Sequence, residues 1–264
     1  MLINITYARV QYSPNINFIQ TMSTFRFQQF SVLQKNSGMK ICTDAVLFGA
    51  MAPVKQRDRV LDIGAGTGVL TLMAAQLGAA KVTAVELTQE AYQEANINVN
   101  NSPWAERLEV VHQDIQSFAL AADQQYDLII SNPPFFENHL KTVDTLRNTA
   151  RHADQLPFAD LIGVAGSLLA PQGLFYLLLP AHAVTKFCAQ ASASGFYLLN
   201  QIDFRGYAHN EAKVSALTFS RIVAVRQIRL LTIYESHNVY SSDSAAYLAD
   251  FLLRFARDQP KRLS

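Results

Sequence analysis

The sequence is poor in cysteine and in long apolar runs, and both shortages narrow the class of protein. Cys42 and Cys188 are the two cysteines among 264 residues, and neither has cysteine or histidine partners at metal-ligand spacing. A disulfide-stabilised secreted domain and a structural zinc site are therefore not expected, and no metal is implied. No apolar run is long enough to form a transmembrane helix, and residues 1–20 lack the apolar segment of a secretory signal. We expect a cytoplasmic protein.

Charged residues are also scarce, at 16% of the chain, and their signs are unevenly distributed. Residues 1–59 carry a net charge of +5, residues 60–199 carry −7, and residues 200–264 carry +3. Two basic ends around an acidic centre favour a polyanionic partner such as RNA. Ordinary variation of surface charge explains the same distribution, so charge alone leaves both interpretations open.

Short apolar segments alternate with helix-like segments from Arg59 to Gly195. This alternation is typical of a mostly parallel sheet covered by helices on both faces, and it predicts an α/β, Rossmann-like fold. After Gly195 the pattern changes to three strands and a final helix. The predicted strands are 60–63, 81–87, 107–112, 126–131, 173–179, 196–204, 214–225 and 227–234, and the predicted helices are 69–77, 88–99, 158–169, 183–194 and about 244–257.

The N-terminal part of the chain lies outside this alternation. Residues 1–24 have weak periodicity and are expected to form an arm, whereas residues 25–264 are expected to form a single domain. Thr43 is a candidate N-cap for a short helix with Asp44 in its first turn. For the aromatic patch of Phe25, Phe27 and Phe30, packing in the core is favoured over a surface on which bases stack.

A glycine-rich loop follows the first strand of the alternating part. Gly64, Gly66 and Gly68 occupy alternate positions, which allows a sharp turn from strand to helix and a close approach of a ligand to the backbone. Asp62 precedes the first glycine, where its carboxylate would repel a pyrophosphate but could bind an ammonium group. The pattern therefore favours S-adenosylmethionine, which has an amino-acid moiety and no phosphate, over a dinucleotide.

Two more carboxylates come at the ends of the next two strands. Glu86 ends the second strand and is placed to accept hydrogen bonds from both ribose hydroxyls of a cofactor. Leu87 directly follows it and is included in the predicted cofactor site. Asp114 comes after the third strand and is placed to accept from the adenine amino group, while Ile115 packs on the adenine ring. Individually, Asp62 could be a helix cap and Asp114 a turn residue, but three carboxylates at successive strand ends favour a cofactor site.

The fourth strand ends in Asn132-Pro133-Pro134-Phe135, the most specific pattern in the chain. The prolines fix the backbone and remove two amide donors, which leaves carbonyl groups to accept hydrogen bonds. The Asn132 side-chain oxygen and the Pro133 carbonyl could each accept one hydrogen of an exocyclic adenine amine, and Phe135 could stack on a flipped base. The alternative is a tight turn after a buried strand.

Several segments together resemble a known family. Asp62 with its glycine loop and the Asn132 motif resemble the class I methyltransferases. The other segments resemble the bacterial tRNA(Val) adenine-N6 methyltransferases that act on adenine 37, and the resemblance spans about residues 25–257. Those segments are Phe27-Gln28-Gln29-Phe30, Met39-Lys40-Ile41-Cys42-Thr43-Asp44, Ser102-Pro103-Trp104-Ala105-Glu106-Arg107 and Asn238-Val239-Tyr240-Ser241.

This resemblance implies features that the residues alone do not. It implies a seven-stranded sheet whose last strand is antiparallel, and an N-terminal extension, residues 25–57, over the cofactor pocket. Within that extension it implies that Lys40 and Thr43 contribute to the cofactor site. It also implies that Arg147, Arg151 and the basic ends face RNA, although the spacing of the two arginines equally suits one solvated helix face. The resemblance implies tRNA as the partner, and tRNA-Val in particular, and it implies no obligatory protein partner.

Other activities fit parts of the same pattern. The Asn-Pro-Pro-Phe motif also suits a methyltransferase for a protein glutamine amide or for guanine N2 in rRNA. A non-catalytic RNA-binding module would keep the fold, but the complete set of Asp62, Glu86, Asp114 and Asn132 argues against it. A DNA adenine methyltransferase would need a further recognition domain, for which little chain remains.

Overall fold

The computed structural model describes residues 24–35, 40–133 and 156–256. The predictions for Pro134, Phe135, Arg147 and Arg151, and for nearly all of the N-terminal arm, lie outside these residues. Within the described part of the chain, no helix is long and apolar enough to cross a membrane.

The described chain begins with a hairpin of β1 (Thr24–Arg26) and β2 (Ser31–Leu33), followed by helix α1 (Thr43–Ala50). Asp44 lies in the first turn of α1, as expected, but Cys42 occupies the N-cap position and no side chain caps the helix. The N-cap interpretation of Thr43 is therefore wrong. Its hydroxyl instead lies 2.9 Å from the Tyr234 hydroxyl, which competes with a local capping bond.

Eight strands form the central sheet, in the order β10-β8-β9-β7-β6-β3-β4-β5. All neighbours are parallel except at β9, which is antiparallel to both β7 and β8. The strands are β3 (Arg59–Ile63), β4 (Lys81–Glu86), β5 (Leu108–His112), β6 (Tyr126–Ser131), β7 (Leu169–Pro180), β8 (Tyr197–Arg205), β9 (Val214–Ser220) and β10 (Gln227–Thr232).

The mostly parallel α/β fold is thus confirmed, but the strand count implied by the resemblance is corrected. The seventh strand of the sheet, β9, is antiparallel as implied, yet it is not the last. β10 follows it and adds an eighth strand parallel to β8. Leu231 in β10 and Ile233 just after it are buried, and these anchors hold the edge strand on the sheet.

Helices cover both faces of this sheet. They are α2 (Val69–Leu77), α3 (Gln89–Asn100), α4 (Ile115–Ala121), α5 (Phe158–Leu168), α6 (Val184–Ala193) and α7 (Ser242–Leu248). A short hairpin, β11 (Tyr234–Ser236) with β12 (Val239–Tyr240), precedes α7. The pattern did not predict α4, and α7 is shorter than the predicted final helix.

The early end of α7 has a tertiary cause. The amides of Phe251 and Leu252 both donate to the carbonyl of Leu248, so the chain turns there. The turn brings Phe251 and Leu252 beside the N-terminal hairpin, where the backbone amide of Gln28 donates to the Phe251 carbonyl at 2.8 Å. Contacts with a distant segment therefore replace the last turns of the predicted helix.

Alternate side chains of the central strands supply two apolar cores, one on each face of the sheet. In β3, Val60 belongs to the core under α1 and α2, and Leu61 belongs to the core under α5 and α6. Phe27 and Phe30 are buried in the first core, which agrees with the packing interpretation for these two rings.

The sheet order reverses between β3 and β6. From β3 the chain proceeds to β4 and β5 on one side, whereas β6 and β7 lie on the other. In open α/β sheets such a switch point leaves a crevice at the carboxyl ends of the strands, and ligands bind there. Among the described residues, the predicted site residues other than Lys40 and Thr43 lie at or just after the ends of strands at this edge.

Candidate active site

The glycine loop lies at the carboxyl end of β3 and is open on one side. Gly64 and Gly66 have φ values of +73° and +56°, which residues with a Cβ rarely adopt. A Cβ added at either position would meet no atom within 4 Å, so free space lies beside this backbone. The Gly64 amide donates to the Val85 carbonyl at 2.9 Å, which fixes the loop to the end of β4. The loop therefore combines a held backbone with room for a ligand.

Asp62 lies directly below this loop and is completely buried. Its Oδ2 accepts a 2.6 Å hydrogen bond from the Thr71 hydroxyl, whereas its Oδ1 has no hydrogen-bond partner among the described residues. Burial raises the pKa of Asp62 to about 6, and the negative charge of Glu86 adds to this, while the bond from Thr71 opposes it. A buried acceptor without a partner is costly, so Oδ1 marks a place where a ligand donor would be stabilising.

Glu86 joins the glycine loop to the loop after β4. One carboxylate oxygen accepts from the Gly66 amide at 2.9 Å, and the other accepts from both the amide and the hydroxyl of Thr88 at 2.9 Å. An ionised carboxylate has about four acceptor positions, so these bonds leave capacity for a ligand. Leu87 is 47% exposed, and its carbonyl oxygen lies 3.0 Å from His112 Nε2.

Asp114 and Ile115 begin α4 at the carboxyl end of β5. Asp114 is the N-cap, and its Oδ1 accepts from the Ser117 amide at 2.9 Å. The bonds from Ser117 lower the pKa of Asp114, so the carboxylate is ionised at neutral pH. Ile115 is buried in the core beneath α5 and α6. Asp114 therefore caps α4, a helix that the sequence pattern did not predict.

Asn132 and Pro133 follow β6, on the other side of the switch point. Ile63 and Ser131 are register partners at the ends of β3 and β6, and the Ser131 hydroxyl donates to the Ile63 carbonyl at 3.0 Å. Asn132 and Gly64 are the next residues of the two strands, so the motif and the glycine loop begin side by side. Both Asn132 and Pro133 are half-buried.

The N-terminal extension reaches the glycine loop through a residue that the sequence did not indicate. Asn98 on α3 is buried, and its amide nitrogen donates to the carbonyls of Thr67 and Leu33, each at 2.9 Å. Its oxygen accepts from the Leu33 amide at 2.7 Å. β2 is thereby attached to the loop. The sequence feature that could have identified Asn98 is a polar residue on the apolar face of α3, and Thr71 is the corresponding residue on α2.

Lys40 and Thr43 lie apart from these residues. Lys40 is exposed and donates to the Gln34 carbonyl. Thr43 lines a cavity with Phe25 and Tyr240, and no glycine of the loop contributes to that lining. Next to it, burial raises the pKa of Asp44, and the positive charge of Lys213 opposes this. The structure thus brings together Asp62, the glycines, Glu86 and Asn132, whereas Thr43 lines a cavity to which none of these residues contributes.

The strand order and the loops at the carboxyl edge define a class I methyltransferase. A family model described as the methyltransferase small domain matches residues 26–180. The solved structure of a predicted O-methyltransferase from Agrobacterium tumefaciens has the same fold, with a TM-score of 0.61 at 20% identity over 77% of this chain and 94% of that one.

Two curated relatives narrow the family. A tRNA1(Val) (adenine(37)-N6)-methyltransferase of Flavobacterium psychrophilum is 37% identical over 232 residues, which covers 87% of this chain and 99% of the relative. One from Yersinia pseudotuberculosis is 38% identical over 233 residues, which covers 88% and 92%. The chain belongs to the family of tRNA1(Val) (adenine(37)-N6)-methyltransferases, which confirms the resemblance drawn from its motifs.

Proposed function

We propose that the protein transfers a methyl group from S-adenosylmethionine to the N6 amine of adenine 37 in tRNA1(Val). The observation that carries this proposal is the position of Asn132 and Pro133, which begin beside the glycine loop at the switch point. The names of the relatives, which are similar along nearly the whole chain, support the tRNA and the nucleotide.

Features of the chain's own residues fit the cofactor. The free space at Gly64 and Gly66 suits a ligand that approaches the backbone, and the unpartnered Oδ1 of Asp62 suits an ammonium donor. In this proposal Glu86 takes the ribose hydroxyls and Asp114 takes the adenine amine. Leu87 and Ile115 pack on the adenine ring, whereas Lys40 and Thr43, which lie apart from the glycine loop, make no contact with the cofactor in this proposal. When bound, S-adenosylmethionine supplies a methyl group that is activated by its positively charged sulfur.

Asn132 and Pro133 would activate the acceptor. The lone pair of an adenine amine is delocalised into the ring, which makes the amine a poor nucleophile. If the Asn132 side-chain oxygen and the Pro133 carbonyl each accept one amine hydrogen, the lone pair is directed towards the methyl group. The amine nitrogen would then bond to the methyl carbon while the carbon–sulfur bond breaks and its electron pair stays on the sulfur, and one amine proton would pass to solvent. Pro134 would keep the backbone rigid, and Phe135 would stack on a base that has left its helix.

The tRNA substrate suggests further proposals about the surroundings of the site. We infer that the protein acts in the cytoplasm, and that Arg147, Arg151 and the basic ends of the chain contact RNA phosphates. We also propose that residues 25–264 act as one domain, with residues 25–57 as an extension next to the cofactor site.

Labelled methyl transfer to total tRNA from a strain that lacks the gene tests this function. We expect N6-methyladenosine in a single tRNA species after nucleoside analysis, and no product with Asn132→Ala. Label on protein glutamine or on rRNA guanine would instead support the methyltransferase alternatives. Cofactor binding without any methylated product would support a non-catalytic RNA-binding module.

A further inference from the structure

A cavity of about 310 Å³ lies at the start of α1, outside the cofactor loops. Its lining includes Phe25, Ile41, Thr43, Tyr240 and Leu252, which come from both ends of the described chain. We call it the edge cavity. Its volume falls at the lower end of the range of small-ligand sites. Its walls are apolar and aromatic, with two hydroxyl-bearing residues, Thr43 and Tyr240, and one thiol, that of Cys42. Such walls with a few polar groups are the usual composition of a small-ligand site.

The edge cavity lies at the same sheet edge as Asn132. The Thr43 hydroxyl is 2.9 Å from the hydroxyl of Tyr234, which follows the carboxyl end of β10. The Tyr234 amide donates at 2.9 Å to the carbonyl of Gly206, which follows the carboxyl end of β8. Three strand spacings, roughly 15 Å, separate β8 from β6, the strand that leads to Asn132. A few nucleotides of single-stranded RNA span that distance.

Aromatic rings hold both walls of the cavity in place. Phe25 is half-buried at the outer end of a ladder, with its ring centre 4.8 Å from that of Phe27. Phe27 in turn stacks on Phe30 at 4.4 Å. On the other wall, Tyr240 stacks on Tyr234 at 5.0 Å. Rings that are fixed before binding lose little conformational freedom when a flat ligand stacks on them.

Two cations flank these aromatic walls. The exposed guanidinium of Arg254 lies 4.8 Å from the centre of the Tyr240 ring and donates to the Asn238 carbonyl at 3.1 Å. A guanidinium has five donors, so further donors remain for a phosphate. Exposed Lys40 precedes Ile41 of the cavity lining. Aromatic rings beside Arg and Lys are the combination that binds unpaired nucleotides, through stacking and through phosphate contacts.

We propose that the edge cavity binds a second, unpaired nucleobase of the RNA while the target adenine is at Asn132. This proposal rests on the proposed function, because it requires an RNA substrate. The second base stacks on Tyr240 and Phe25, the Thr43 and Tyr234 hydroxyls contact its polar edge, and Arg254 takes a neighbouring phosphate. The cavity thus recognises the nucleotides around the target, and the cofactor does not occupy it.

A tyrosine variant with two matched variants tests the proposal in the full-length protein. Tyr240→Leu removes the ring and Tyr240→Phe keeps it, while Tyr197→Leu removes a 41% exposed tyrosine at the opposite end of β8. The probe is the stem-loop of the substrate tRNA around adenine 37, and its Kd is measured by fluorescence anisotropy. Loss of one stacked base weakens binding by about tenfold, so we expect that loss for Tyr240→Leu and wild-type binding for the two other variants.

Abasic RNAs identify the base in the cavity. Each nucleotide near the target is replaced in turn by an abasic one, and each RNA is bound to wild type and to Tyr240→Leu. At one position, removing the base should weaken binding to wild type by the same factor as Tyr240→Leu weakens binding to the intact RNA. Binding of that abasic RNA to Tyr240→Leu should then be no weaker than either single change makes it. Phe25→Leu, on the opposite wall, should show the same coupling. The thermal unfolding midpoints of both variants should equal that of wild type, which shows that the variants are folded.

Three results would overturn the proposal. The first is an unchanged RNA affinity in well-folded Tyr240→Leu. The second is a loss of affinity at every abasic position that adds to the loss caused by Tyr240→Leu. The third is weaker binding of S-adenosylmethionine to Tyr240→Leu, which would assign the cavity to the cofactor. Failure of the proposed function is distinguishable from these, because it appears as wild-type protein that methylates no tRNA.

Discussion

At the scale of single residues, Asp62 is the group whose chemistry differs most between the folded and unfolded chain. It is completely buried, one oxygen is bonded to Thr71, and the other has no hydrogen-bond partner among the described residues. Its pKa is about 6 in the folded protein, against an ordinary value of 3.8. The folded state therefore holds this proton over a pH range in which the unfolded state has lost it. A site that binds a cation would explain why the chain keeps such a group.

The first prediction is a pH-dependent loss of stability that depends on Asp62. Because the folded pKa is raised, its stabilising contribution is full below about pH 4 and is lost as pH rises through about 6. The shift of roughly two units corresponds to about 3 kcal/mol in the free energy of unfolding. Urea unfolding of wild type and Asp62→Asn between pH 4 and 7 measures it. As the pH rises from 4 to 7, the free energy of unfolding of wild type should fall relative to that of Asp62→Asn. If the two free energies change in parallel with pH, the raised pKa is contradicted.

The second prediction concerns Glu86. Glu86→Gln removes the charge that accepts from the Gly66 amide and from Thr88, and in our proposal it also weakens the contact with the ribose. We expect the binding free energy of S-adenosylmethionine to weaken by about 1.5–3 kcal/mol, which calorimetry measures. Glu109→Gln is the matched control, since Glu109 is exposed and pairs with Lys81 on the surface. Equal affinities of the two variants would exclude Glu86 from the cofactor site.

At the scale of elements, the sequence predicted the parts that local patterns determine. The predicted strands corresponding to β3 to β6 agree with the observed bounds to within one residue, because each is a short apolar run between turn residues. The loops that carry Asp62, Glu86 and Asn132 follow these strands, so their common edge was predictable as well. The cap at Thr43 and the length of α7 were wrong, because contacts with Tyr234 and with the N-terminal hairpin determine them. Asn98 was missed because its partners, Leu33 and Thr67, are distant in sequence, and Thr71 because it meets Asp62 only when α2 folds back beside β3.

The third prediction distinguishes the role of Asn132, which follows β6, from the role of the glycine loop in binding the cofactor. Asn132→Ala should lower kcat by roughly 100-fold or more, the size expected when one transition-state hydrogen bond is removed. The Kd of S-adenosylmethionine should stay within about twofold, because Asp62, Glu86 and the loop backbone remain. Single-turnover methyl transfer and calorimetry measure the two quantities. A large loss of cofactor affinity would contradict the role that we propose for Asn132.

At the scale of the whole molecule, the carboxyl edge of the sheet is divided into three parts. The loops after β3, β4 and β5 form the proposed cofactor site, and β6 contributes the proposed catalytic motif. The edge cavity adjoins Tyr234, which follows the end of β10. The first and last segments of the described chain meet, since Phe27 forms a β-bridge with Leu252. Local sequence patterns could not indicate this closure, because it joins residues more than 200 positions apart.

The fourth prediction tests that closure. The Gln28 side-chain amide donates to the carbonyls of Ala249 and Leu252, at 2.6 and 2.9 Å. Gln28→Ala removes both bonds and should lower the free energy of unfolding by about 1–3 kcal/mol. The matched control is Gln29→Ala, because Gln29 is the exposed neighbour. Chemical denaturation measures both variants, and equal stabilities would mean that these bonds do not hold the two ends together.

The most direct test of the central claim uses one purified RNA. An unmodified tRNA1(Val) transcript and the same transcript with guanosine at position 37 are each incubated with the protein and S-adenosylmethionine, and the nucleosides are then mapped by mass spectrometry. The account predicts one methyl group on N6 of adenine 37 in the first transcript and none in the second. Equal methylation of both transcripts, or methylation of neither, would contradict it.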